Sequence, residues 1–224
     1  MRTLVVAPHP DDEVIGCGGS IVKWTQAGVE VHVLLVTQVW EPKWSEAELA
    51  KRFAEAHDAA ECMGLHPDGQ LWTARFPTTQ LNITPAWLLA ESLSDRVADI
   101  QPDTLIIPAL GDVNRDHEEV HKACLVASRP HPGCPVKRVW AYETTCTAAF
   151  ATSMPGVFRP DVYEVLAPVH ANAKLEAMKC YKSEQRDWPH PRSVKALAHF
   201  CIERGARVGE PFAECFQIIR EIRP

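Results

Sequence analysis

The stretch Ala7-Pro8-His9-Pro10-Asp11-Asp12-Glu13 constrains this chain more than any other. It follows the apolar run Thr3-Leu4-Val5-Val6, the pattern of a strand covered on both faces. Two prolines fix the backbone on either side of the histidine. Adjacent carboxylates at the end of a buried strand repel one another, and a fold that keeps them there needs a cation. A metal site is therefore the first expectation, and the rest of the chain must supply the missing ligand, the substrate walls and the core.

The segments that follow alternate in character. Gly16-Cys17-Gly18-Gly19-Ser20 reads as a glycine loop leading into a helix over 21–27. It is not the dinucleotide fingerprint, because Ile21 stands where the last glycine would be. The glycines fit close packing of helix on sheet. A second buried strand is predicted over 29–36. Ser45 and Glu48 have capping-box spacing and open a helix to about Met63, on which Arg52 and Glu55 share a face. A short strand over 70–76 and a helix from Thr84-Pro85 to Ile100 come next, then the apolar strand 104–108. This alternation predicts an α/β fold: a Rossmann-like three-layer α/β/α sandwich with a mostly parallel sheet and a smaller C-terminal extension. Ligands in such sheets bind beyond the carboxyl ends of the strands. The acidic motif and the polar cluster 111–121 then lie on one rim. Strands over 136–142 and 161–166 and helices over 170–181 and from the 189–193 stretch to Arg204 complete the chain. The type of the closing element, 212–222, is not fixed by its pattern. The whole reads as one domain, 1–130 a Rossmann-like core and 131–224 a substrate-side extension.

Composition narrows the function. Hydrophobic residues make up 46% of 224, enough for a sizeable core, and the net charge of −6 argues against a nucleic-acid partner. No run of about eighteen apolar residues predicts a membrane span. The N-terminus leads directly into a strand without a signal-peptide pattern, which implies a cytoplasmic protein. Eight cysteines without a C-x-x-C pair read as reduced, buried thiols, Cys62 and Cys201 among them.

A hydrolytic zinc site takes three protein ligands and keeps one position open. His9 and Asp12 offer two from one loop, and the third is expected from the second rim cluster. Two readings compete there. His117-Glu118-Glu119-Val120-His121 matches the H-E-x-x-H motif of zinc peptidases, with His117 and His121 as ligands and Glu118 as base. That reading leaves the N-terminal acidic motif without a role. Asp116 with Glu119 also resembles a helix cap, which puts His117 in the first helical turn. The other reading joins His9 and Asp12 to Asp116-His117.

Here the chain resembles a known family. Pro8-His9-Pro10-Asp11-Asp12-Glu13, followed a hundred residues later by Asp112-x-Asn114-x-Asp116-His117, is similar to the zinc-dependent N-acetylglucosaminyl deacetylases of the PIG-L/LmbE type. The likeness extends through Arg52-x-x-Glu55, Tyr142-Glu143-Thr144, Pro189-His190-Pro191-Arg192-Ser193 and Arg204-Gly205. It implies His9, Asp12 and His117 as zinc ligands and Asp11 as the base that takes a proton from water and returns it to the amine. It implies an N-acetyl amino sugar, or a conjugate of one, as the small-molecule substrate. Arg52, Glu143 and Arg192 are candidate substrate contacts, and the loop residues Trp40 and Trp44 a candidate lid. Where many members carry a histidine three residues before the third ligand, this chain has Asn114. An asparagine donates a hydrogen bond but carries no proton for transfer, so either Asn114 fills the oxyanion role more weakly or another histidine does, with His190 the candidate. A second departure is Ala148-Ala149, in a loop expected to be bulkier. A two-histidine, one-carboxylate set also accepts iron(II). The oligomeric state stays open, a homo-oligomer in which His190 reaches a neighbour's site included. A catalytically silent sugar- or nucleotide-binding module of the same fold is the alternative from another class.

Overall fold

A computed structural model of the protein describes residues 1–144 and 158–223. Ala148 and Ala149 lie outside the described residues. The strands are β1 (Arg2–Ala7), β2 (Glu30–Gln38), β3 (Leu71–Pro77), β4 (Thr104–Pro108), β5 (Arg138–Tyr142), β6 (Val162–Val165) and β7 (Ala213–Glu221). The helices are α1 (Asp12–Gln26), α2 (Glu46–Cys62), the single turn α3 (Pro67–Gln70), α4 (Ala86–Ile100), α5 (Arg115–Ala127), α6 (Pro168–Cys180) and α7 (Val194–Ala206).

One seven-stranded sheet runs in the order β3-β2-β1-β4-β5-β7-β6. The strands from β3 to β5 are parallel, and β7 runs antiparallel to both of its neighbours. Alternation along β1 sorts the core into two layers. Val5 and Ala7 face the cluster built on α1, α2, α6 and α7, while Leu4 and Val6 face the one built on α4 and α5. Each fully buried aliphatic side chain of this kind contributes roughly 1.5–3 kcal/mol. Strand order reverses between β1 and β4, and the loops after these two strands meet at that switch point.

Most expected elements are present. The Ser45–Glu48 capping box forms as the spacing predicts, with Glu48 N donating to Ser45 Oγ and Ser45 N to Glu48 Oε2. The closing element is a strand. The glycine run departs from expectation: it lies inside α1, which begins at Asp12 and breaks only at Cys17 (φ −148°, ψ 22°). Glycine disfavours a helix, but close contact requires it here. A Cβ on Gly16 would sit 2.0 Å from Cδ2 of Tyr142, and one on Gly19 would sit 2.5 Å from Cδ1 of Leu166. The break frees backbone groups, and a buried ion pair takes them. Glu214 accepts from Gly19 N (3.0 Å) and Ser20 N (2.6 Å), and Lys174 Nζ donates to Ile15 O (2.8 Å) and Glu214 Oε1 (2.5 Å).

Candidate metal centre and active site

The loop after β1 turns into α1 at Asp11, whose φ of 111° lies in the left-handed region. Such a conformation costs a non-glycine residue roughly 1–3 kcal/mol unless its surroundings hold it. Here Asp11 N donates to Glu13 Oε2 (3.2 Å), and Tyr181 Oη donates to Glu13 Oε1 (2.5 Å). Glu13 therefore braces the loop. Burial pushes its carboxyl up to about 7.

Across the rim, Asn114 caps α5 by accepting from Asp116 N (3.1 Å). This puts His117 in the first turn, as expected, although the cap is Asn114 and not Asp116. Three atoms with lone pairs then converge. His9 Nδ1 lies 3.1 Å from Asp12 Oδ2 and 3.2 Å from His117 Nε2, and His117 Nε2 lies 3.2 Å from Asp12 Oδ2. Ligands bonded to a tetrahedral ion at about 2.0–2.1 Å stand roughly 3.3 Å apart, so the triangle has the size of one face of such a site. His9, Asp12 and His117 are the metal-capable group among the described residues.

Each histidine has a carboxylate behind it. Asp116 Oδ2 lies 3.0 Å from His9 Nε2, and Asp112 Oδ2 lies 2.9 Å from His117 Nδ1. These partners hold a proton on the outer nitrogen and turn the inner one toward the triangle. Asp116 is itself fixed by Thr79 N (2.6 Å) and Leu81 N (3.2 Å), and Asp112 by Thr144 Oγ1 (2.6 Å) and Asn114 N (2.8 Å). Burial alone would lower both histidines. Asp12 and Asp112 instead carry His117 up to about 10, and Asp116 and Asp12 raise His9. A field that favours protons on both rings favours a cation between them.

Asp11 is buried next to this triangle. Burial and the adjacent Asp12 carboxylate push its carboxyl up to about 8. Its Oδ2 has no hydrogen-bond partner among the described residues, and the nearest cation is Arg192 Nη1 at 3.6 Å. An unpartnered carboxylate oxygen in a buried position is a group held ready for a proton.

The triangle opens into a cavity of about 350 Å³, near the lower end of small-ligand pockets at roughly 300–1,000 Å³. His9, Asp11, Asp12, Asn114 and His117 line it, together with Trp44, Arg52, Phe53, Glu184 and Arg192. Arg52 does not pair with Glu55. It binds Glu184, while Glu55 accepts from Ser183 N (3.1 Å) and Ser183 Oγ (2.5 Å). Glu184 also binds Arg192 Nη1 at 2.6 Å, so it bridges the two arginines. Trp40 donates to Thr78 O (3.0 Å) and is not part of the lining.

Two candidates fall elsewhere. His190 is exposed, and its Nδ1 accepts from Arg192 N (3.0 Å), so within one chain it holds the turn and does not line the cavity. Glu143 is not part of the cavity lining and pairs with Arg204. The peptidase reading also fails on geometry. His121 is not in the metal-capable group that His117 forms with His9 and Asp12, and Glu118 pairs with Lys122 at 2.8 Å. The sequence reading missed Glu184, which no motif marks, and the roles of Asp112 and Asp116. For those two, the alternating Asp-x-Asn-x-Asp before His117 was the available signal.

Fold and site define the class: a Rossmann-like α/β protein whose rim can hold a metal ion. The family model described as GlcNAc-PI de-N-acetylase (PIG-L) matches residues 4–128, and the chain belongs to that family. It is accordingly a deacetylase, a hydrolase of an amide C–N bond. Among its relatives, the uncharacterised deacetylase YaiS of Escherichia coli (strain K12) is 25% identical over 185 residues, 80% of this chain and 90% of its own length. The N,N'-diacetylchitobiose deacetylase from Pyrococcus horikoshii superposes with a TM-score of 0.76 at 20% identity, covering 98% of this chain and 84% of its own. The 4-carboxy-2-hydroxymuconate hydratase from Pseudomonas putida KT2440 superposes with a TM-score of 0.73 at 18% identity, covering 100% of this chain and 98% of its own. The same fold thus carries more than one reaction, and the choice rests on the site. No helix among the described residues is long and apolar enough to cross a membrane.

Proposed function

We propose that the protein removes the acetyl group from an N-acetyl amino sugar, or a conjugate of one, with His9, Asp12 and His117 holding zinc and Asp11 moving the proton. The observation that carries this reading is the 3.1–3.2 Å triangle of ligand atoms beside the buried, unpartnered Oδ2 of Asp11. A divalent ion in the triangle supplies Lewis acidity toward the acetamide carbonyl and acidifies water. Iron(II) suits the same donor set. Asp11 takes the proton of the attacking water and delivers it to the amine nitrogen as the C–N bond breaks. Asn114 spends its carbonyl oxygen on the α5 cap, which leaves its NH2 as a donor for the developing oxyanion. Arg52 and Arg192, both in the cavity lining, bind the sugar or its substituent. Asp112 and Asp116 keep each histidine in the ligating tautomer.

Residues 1–130 contribute the metal centre in this reading, and 131–224 the substrate side through Glu184 and Arg192. The net charge of −6 supports a small-molecule partner over a nucleic acid. A cytoplasmic setting belongs to the same proposal. A homo-oligomer would give the exposed His190 a neighbour's site to reach.

The test is a panel of N-acetylglucosamine, its β-linked dimer and an inositol glycoside, assayed for free amine with metal analysis of the same sample. Amine release from at least one member by metal-bound protein supports the reading. Release that is unchanged in Asp11→Asn with full metal content overturns the assignment of the base. Full metal content with no release from any member favours the silent binding module.

A further inference from the structure

Cys62 and Cys180 differ from the other described cysteines. Cys17, Cys124, Cys134, Cys201 and Cys215 are buried, whereas Cys62 is exposed, against expectation, and Cys180 is half-buried. Each is the last residue of its helix, α2 and α6, and their Sγ atoms lie 3.6 Å apart across 118 positions of sequence. Behind them Ala59, Ala60, Met63, Ala177, Met178 and Tyr181 belong to one packed cluster, which holds the two helix ends together. A thiol contact of this length is within side-chain adjustment of an S–S bond of about 2.0 Å. The deacetylation chemistry uses neither residue.

We propose that Cys62 and Cys180 are a redox-labile pair that a low-molecular-weight disulfide converts into an intramolecular disulfide. The Cys62 thiolate attacks one sulfur of R–S–S–R, forms a mixed disulfide and expels R–S⁻. Cys180 gives its proton to solvent and attacks Cys62 Sγ, which forms the protein S–S bond and expels the second R–S⁻. Two protein thiols are oxidised, and one small disulfide is reduced to two thiols. Exposure makes Cys62 the first nucleophile, since burial and the contact with Cys62 push the Cys180 thiol up to about 12. The bond acts on the cavity wall. Arg52 and Glu55 on α2 already grip Glu184 and Ser183, which follow α6 within four residues. Oxidation adds a covalent tie between the same two segments.

The experiment uses the full chain, freed of reductant and incubated with oxidised glutathione. Thiols are counted after denaturation, peptides are mapped without reduction, and the unfolding midpoint is measured. The expected result is the loss of two thiols per chain, a Cys62–Cys180 cross-linked peptide, and a rise in Tm of about 5–10 °C. Dithiothreitol reverses all three, and Cys62→Ser abolishes the rise. No thiol loss, persistent glutathione adducts, a bond to Cys146 or to a second chain, or an equal rise in Cys62→Ser would each overturn the proposal. None of these readouts depends on the deacetylase reading.

Discussion

α1 touches two buried ionic clusters, and they are built on opposite principles. At its break, Lys174 and Glu214 account for one another and for the backbone groups of Ile15, Gly19 and Ser20. At its start, Asp11, Asp12 and Glu13 crowd one end with two histidines, and an Asp11 oxygen has no hydrogen bond among the described residues, only Arg192 at 3.6 Å. The first cluster is closed and replaces helix hydrogen bonds with side chains. The second is open, lined by a cavity, and short of positive charge. Buried charge by itself therefore does not mark a reactive site; unmet demand within it does.

The largest effect separates the two by metal. His117→Ala should reduce bound metal below a tenth of wild type and lower kcat/KM by at least about 10³-fold, read by metal analysis and amine release. Asp11→Asn comes next: full metal, with kcat down by about 10²–10⁴-fold. A comparable loss of metal would instead make Asp11 part of the triangle.

The closed cluster should respond in stability and not in chemistry. Lys174→Met leaves Glu214 buried without its cation and should cost about 3–5 kcal/mol in denaturant unfolding, with kcat retained while folded. Replacing both partners by apolar residues often restores a buried pair's stability, but here it should not, because Gly19 N, Ser20 N and Ile15 O would still lose their partners. A stable double variant would break the contrast between the clusters.

A pH series sharpens the contrast further. Asp11 has its folded pKa raised to about 8, so its contribution to stability is full below the unfolded value near 4 and is lost as pH rises through about 8. In metal-stripped protein, the gain in Tm from Asp11→Asn should be larger at pH 8 than at pH 5. The smallest effect is expected at Glu184. Glu184→Gln loosens Arg52 and Arg192 together and should change KM by about tenfold or less, with metal content unchanged.

Much of this was legible from residues alone. Continuous apolar runs identified β1, β2 and β4, because strands covered on both faces carry no polar face to confuse the pattern. The acidic motif and Asp116-His117 pointed to one rim because each follows a strand of the parallel sheet, and the family resemblance named His9, Asp12 and His117 as the set that the fold brings together. Other features were hidden by partners far away in sequence. β7 was undecided because Glu214 sits among its buried residues, an oddity explained only by Lys174, 40 positions earlier. The glycines of α1 looked like a loop because local preference knows nothing of Tyr142 and Leu166. His190, fixed between prolines, looked aimed at chemistry, yet its Nδ1 accepts from the backbone of Arg192 and the residue lies outside the cavity lining.

The sequence by itself determined the layered α/β architecture and the rim on which the polar clusters lie. These follow from short-range patterns: strand periodicity, proline-fixed turns and the placement of polar residues at strand ends; the choice of His9, Asp12 and His117 came from the family resemblance. Only the tertiary structure decided which carboxylate stands behind each histidine, that Glu184 bridges two arginines, and that Glu143 turns to Arg204. Those choices depend on where side chains from separate elements meet, and on which charges are already satisfied when they do.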